Sequence, residues 1–126
     1  MTLSSIENLC KTIKHFRGVY LRDTLPDTPL QNEICVLNLD SVENNGTHWT
    51  LFYKQNSDCF YFDSFGHRPP IELMNYFKNN VWYSTFILQE SGTKYCGHLC
   101  VILARILDEL NSFPDSVYKL KELLEE

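Results

Sequence analysis

Apolar residues recur along the chain in blocks separated by short polar stretches, and the spacing inside each block differs. Leu3, Ile6, Leu9, Cys10 and Ile13 fall at helical intervals, which predicts a helix over residues 3–15 with Ser4 or Ser5 as its cap. The next stretch, GVYLRDTLPDTP, opens on Gly18 and is punctuated by Pro26 and Pro29, so it predicts a short extended piece followed by a loop. From Ile34 to Leu39 the run ICVLNL is compact, apolar and β-branched, the composition of a buried strand. Residues 40–47 are polar and contain Asn45-Gly46, a dipeptide suited to a hairpin turn. HWTLFY (48–53) and CFYFDSF (59–65) predict two further strands around a polar turn at 54–58. Three strands joined in this way form an antiparallel meander.

The second half changes period. Pro69 and Pro70 lead into IELMNYFKN (71–79), a predicted helix, since proline suits a first helical turn. VWYSTFILQ (81–89) predicts a fourth strand and ESGTK (90–94) a loop. YCGHLCVILARILDEL (95–110) has the length and apolar density of a central helix despite Gly97, and a last amphipathic helix is expected over 115–125. No internal repeat or low-complexity segment interrupts this order. Helix, strands, helix, strand and helix together predict one α+β domain over residues 1–126, a mostly antiparallel sheet packed on a central helix.

Composition narrows what such a domain does. Of 126 residues 44% are hydrophobic and 13% aromatic, as in a folded domain with one core. The net charge of −5 and the lack of a basic run disfavour nucleic acid as the main partner. No segment approaches the roughly 18 apolar residues of a membrane span, so no membrane partner is expected. Residues 1–14 do not read as a secretory leader. The five cysteines are odd in number and sit mostly in apolar runs, which predicts free thiols in a reducing intracellular compartment.

Among these thiols Cys96 stands out, because a polar loop with Ser91 and Gly92 precedes it and an apolar helix follows. The unpaired N–H groups of a helix N-terminus stabilise a thiolate. Gly97 removes a side chain beside the sulfur and lets a substrate backbone approach. His48 sits at a turn-to-strand junction, where its ring can project from the end of a sheet. Asp63 falls near the same end of the expected hairpin; it can orient His48 and stabilise its imidazolium, or simply begin an Asp-Ser-Phe-Gly turn. Gln89 ends the fourth strand, where its amide can donate to an oxyanion beside the Cys96 N–H. A zinc site of Cys96, His98 and Cys100 competes for the same residues, but His98 faces away from the other two on a helix, so no metal or other cofactor is expected.

His48 in GTHW, Asp63 in YFDSFG, Gln89, and Cys96 in CGHLC follow one another in an order that resembles the adenovirus-type (adenain-like) endopeptidases of the ubiquitin-like-protein protease clan. Trp49 after the histidine and Gly97 after the cysteine extend the likeness. FRGVYLRDTLP, NLD, and the prolines after YFDSFG are similar to the branch encoded by large DNA transposons and related viruses. The resemblance runs from about Phe16 to Leu107 and implies a papain-like core. It further implies that Cys96 is the nucleophile and His48 the base, that Asp63 orients His48, and that Gln89 serves the oxyanion. Trp49 would pack beside the thiol–imidazole pair or cover the substrate's small residues.

A polypeptide cut after Gly-Gly or a similar small pair would be the substrate, and a viral or transposon structural precursor its source. The cytoplasm or nucleus of a host cell, or a virion, would be the place of action. The resemblance leaves room for an activating peptide, although Cys10, Cys35 and Cys59 read as core positions and offer no tether. DNA activation is not expected from so acidic a chain with a short C-terminal region. Two alternatives keep the same fold: a deconjugating protease for a ubiquitin-like modifier, and an inactive binding module.

Overall fold

The computed structural model describes residues 1–40, 48–90 and 93–125. Nine elements follow in chain order: α1 (Leu3–Cys10), β1 (Phe16–Leu21), β2 (Asn32–Asn38), β3 (Trp49–Gln55), β4 (Asp58–Phe62), α2 (Ile71–Phe77), β5 (Val81–Tyr83), α3 (Cys96–Leu110) and α4 (Phe113–Glu125). The strands form one sheet in the order β1-β2-β3-β4-β5. The expected meander is its centre, since β2–β3 and β3–β4 are antiparallel. Both outer strands are parallel to their neighbours, which the sequence pattern did not indicate. The expected turn with Asn45-Gly46 lies outside the described residues.

The sheet is covered on both faces, and this explains why its strands read as nearly continuous apolar runs. Ile34 and Val36 of β2, Leu51 and Tyr53 of β3, and Phe62 of β4 join one core with residues of α1, α3 and α4. Cys35, Leu37, Phe52, Cys59 and Tyr61 point the other way and pack with Leu73, Tyr76 and Phe77 of α2. Alternate residues of each strand therefore feed opposite cores. Below α2, the buried Glu33 of β2 accepts from Arg17 of β1 (2.8 Å) and from the Tyr76 hydroxyl (2.6 Å), tying three elements through one carboxylate.

Four predicted elements come out shorter, one being the strand expected over 59–65, which ends at Phe62 and gives way to the turn that Asp63 begins. The first helix ends at Cys10 rather than residue 15, because the chain closes turns instead (Ile13 N–H to Cys10 O, 3.0 Å; Phe16 N–H to Ile13 O, 3.2 Å) that still bury Ile13. Its cap is Thr2, which accepts from the Ser5 N–H at 3.1 Å, with Ser5 as the reciprocal partner of a capping box. The second helix stops at Phe77, where Lys78 turns left-handed. The predicted strand over 81–89 pairs only as far as Tyr83, and residues 84–89 then run past the end of β4, with Ser84 and Leu88 donating to Tyr61 O and Ser64 O. On that path Thr85 O would lie 2.7 Å from a Cβ at Gly66, whose φ of +75° also calls for glycine.

Candidate active site

Strands β3 and β4 are joined by the tight turn Asn56-Ser57, with Asn56 at a φ of 54° and Gln55 paired with Asp58. Leu51 faces Phe62 at the other end of the ladder. Continued outward, that register puts His48 opposite Phe65 and brings Asp63 to the same open end. The two side chains meet there: His48 Nε2 is 2.9 Å from Asp63 Oδ1. The Phe65 ring lies over the imidazole, with centroids 4.9 Å apart. Asp63 makes the contact to His48 and the contacts of a turn at once. Its Oδ1 also accepts from the Phe65 N–H (2.8 Å), and its carbonyl accepts from the Gly66 N–H (2.8 Å), so the turn that Asp63 begins fixes the oxygen that His48 meets.

With Nε2 committed to Asp63, Nδ1 is the ring nitrogen left for Cys96, which hydrogen-bonds His48 from the first residue of α3. The Trp49 N–H donates to Cys96 Sγ at 3.4 Å, and the Gly97 N–H also favours the charged sulfur. Among the described residues no side chain caps α3: Tyr95 at the N-cap makes no such bond and the first turn holds no acid. Its free N–H groups therefore remain for an anion.

These contacts set the ionisation of the pair. Burial alone pushes the Cys96 thiol up, but the His48 hydrogen bond, the Trp49 N–H and the His48 charge outweigh it, and the thiol ends below its ordinary value. Burial pulls His48 down, yet hydrogen bonds to Asp63 and Cys96 and the charges of both raise it to about 9. The other four thiols, Cys10, Cys35, Cys59 and Cys100, are all pushed up by burial. One cysteine of five is thus set to ionise, opposite an imidazole set to be charged. Such a pair titrates as a unit. Chemically it holds a nucleophile and a proton donor together at the open end of a helix.

Gln89 is buried, and its orientation is fixed from both sides. Its Oε1 accepts from the Ser64 hydroxyl, next in sequence to Asp63, and its Nε2 donates to Thr93 O at 2.8 Å. One of its two amide protons is thereby used on the loop leading to Cys96, and the second remains for another acceptor. Trp49 is a core residue, 6% exposed, packed against the start of α3. Gly97 is buried as well: a Cβ there would lie 3.1 Å from both Trp49 Cδ1 and Met1 Sδ. Those side chains supply a packing reason for glycine that the sequence reading did not contain. His98 is exposed and faces away. Among the described residues no group of three or more His, Cys, Asp or Glu side chains is placed to hold a metal ion.

Several participants were invisible as letters. Phe65 stacks on His48, Ser64 orients Gln89, and the Trp49 main chain reaches the sulfur. The Asp-Ser-Phe-Gly turn was the one signal that could have pointed to Ser64 and Phe65.

No protein-family model and no curated protein matches the chain. Among solved structures it is similar to a crystal structure of the ASFV pS273R protease, with a TM-score of 0.53 and 19% identity over 76% of this chain and 43% of that one. The chain therefore spans less than half the length of that protease. The likeness is one of fold: among the described residues this chain has a five-stranded sheet with an antiparallel centre, and four helices.

Proposed function

We propose that the chain is a cysteine endopeptidase. The observation that carries this reading is the row Asp63–His48–Cys96, in which the one acidified thiol of five meets an imidazole held at its far side by a buried carboxylate. The Cys96 thiolate attacks the carbonyl carbon of the scissile bond. The oxyanion so formed is held by N–H groups at the start of α3, with the Gln89 amide as a second donor. His48 gives its proton to the leaving amine, the C–N bond breaks, and a thioester to Cys96 remains. Water then attacks that thioester while His48 takes its proton, and the carboxylic acid leaves with the thiol regenerated. Asp63 keeps the imidazole in one tautomer and stabilises its charged form throughout. The protease fold of the similar structure supports the same reading, as does the order of these four residues along the chain.

The substrate we assign is a polypeptide with a Gly-Gly or Gly-X-Gly type site, taken from a viral or transposon structural precursor within a host cell or virion. The resemblance in the sequence supports this choice. Its test pairs the wild type with Cys96→Ala on two substrates, a peptide with Gly-Gly before the scissile bond and a panel of folded ubiquitin-like fusions. Cleavage of the peptide by the wild type alone supports precursor processing. Cleavage of only the fusions replaces it with deconjugation. Cleavage of neither, together with ordinary reactivity of Cys96, leaves a binding module.

A further inference from the structure

The second oxygen of Asp63 is the feature that the proposed catalytic row leaves unexplained. Asp63 is fully buried, and its Oδ2 accepts no hydrogen bond among the described residues. A buried carboxylate oxygen without a donor is costly, so a structure that keeps one holds a partner near it. His67 supplies that partner. Its Nδ1 lies 3.7 Å from Oδ2, from the loop that follows the Asp-Ser-Phe-Gly turn. Phe65 neighbours both histidines, with its ring centroid 4.9 Å from that of His48 and 6.0 Å from that of His67. Asp63 reaches His48 through Oδ1 and faces His67 through Oδ2. A separation of 3.7 Å is longer than a hydrogen bond, and such contacts in a free site tighten when substrate arrives.

We propose that His67 is a positioning residue of this site, whose Nδ1–H serves Asp63 Oδ2, so that one carboxylate is shared between two imidazoles. The inference rests on the Cys96–His48 reading above. Its consequence follows from the chemistry of a shared acceptor. A donor on Oδ2 stabilises the carboxylate most when His48 is neutral and the carboxylate would otherwise face that neutral ring alone. Sharing therefore weakens the hold of Asp63 on the His48 proton and brings the imidazole toward neutral pH, where it can both give and take that proton. The other ionisable groups that face Asp63 do not compete. Tyr61 from β4 and Cys100 from α3 are both pushed up by burial and stay uncharged, while Cys96 acts from beyond His48. His67 is 72% exposed, so its influence is screened and modest.

The test is an NMR titration of the His48 ring in the full chain, with His67→Ala, His67→Phe and His67→Asn beside the wild type. Phenylalanine keeps an aromatic ring beside Phe65 without a donor, and the asparagine amide keeps a donor near the Nδ1 position without a charge. Sharing predicts that the Ala and Phe variants raise the His48 proton affinity by about threefold, the effect of one screened partner, while Asn stays at the wild-type value. Unchanged or lowered affinity in His67→Ala overturns the inference, as does a Phe variant that behaves like the wild type or an Asn variant that behaves like Ala. The catalytic reading fails separately: it is lost if iodoacetamide labels Cys96 no faster than the other four thiols.

Discussion

Replacing Asp63 with asparagine removes a charge while leaving most of the geometry in place, so it isolates what the carboxylate does. The Phe65 N–H needs an acceptor at the position of Oδ1, and this orients the new amide with its oxygen toward both Phe65 and His48. His48 Nε2 thus keeps its acceptor, and only the negative charge is lost. Raising His48 from 6.5 to about 9 corresponds to roughly 3 kcal/mol of preference for the imidazolium. Burial opposes that preference, and Asp63 and Cys96 share in producing it, with the Asp63 hydrogen bond the largest of the raising effects. Assigning the charge of Asp63 about half gives roughly 1.5 kcal/mol, or about tenfold in proton affinity. The His48 ring should then titrate about one pH unit lower in Asp63→Asn than in the wild type. The alkaline limb of peptide hydrolysis should move with it, and the rate should fall less than in His48→Ala. Stability carries the same sign. A raised histidine contributes fully below pH 6.5, and its contribution is lost as pH rises through about 9. The urea midpoints of wild type and Asp63→Asn should therefore converge across that window. A His48 titration that stays near 9 in the variant, or a midpoint gap that widens with pH, refutes the assignment.

Further expectations concern the thiols and the frame. Iodoacetamide should label Cys96 well before Cys10, Cys35, Cys59 and Cys100, read by peptide mapping; equal labelling at all five would remove the activated thiolate. Gly66→Ala should cost about 2 kcal/mol in urea unfolding, since a left-handed backbone and the Thr85 carbonyl at 2.7 Å both resist a Cβ; a change under about 0.5 kcal/mol would show that the 84–89 segment moves aside freely. Glu33→Gln should cost about 3 kcal/mol while leaving Cys96 labelling intact, because it breaks a buried ion pair remote from the thiol in sequence and packing; loss of labelling in a folded variant would tie that network to the site.

The positions of β2, β3, β4 and α3 were legible because each is a long apolar block whose period matches its structure. The same logic brought His48 and Asp63 to one end of a hairpin before any coordinates. It was blind to the parallel outer strands, which depend on where the chain returns rather than on local pattern. It extended the first helix past Cys10, because Ile13 is buried by a turn as well as by a helix. It carried β5 to Gln89, although the Gly66 turn diverts the chain after Tyr83. Within the site, the misses share a cause. The donors to Cys96 Sγ are main-chain N–H groups, which every residue but proline carries, so no residue type announces them. Nothing in the sequence singled out His67, because its neighbour is the second oxygen of a carboxylate whose first oxygen meets His48.

The bond from the Trp49 N–H to Cys96 Sγ joins residues 47 positions apart, and it makes this thiol a reporter of strand pairing. A one-residue slip between β3 and its neighbours would turn every side chain to the opposite face and move that N–H away from the sulfur. The same slip would separate His48 from Asp63, since both stand at the open end of the ladder that the slip displaces. Misregistered or partly assembled chains would thus carry an ordinary thiol. An acidified thiol would arise only once helix and hairpin have docked.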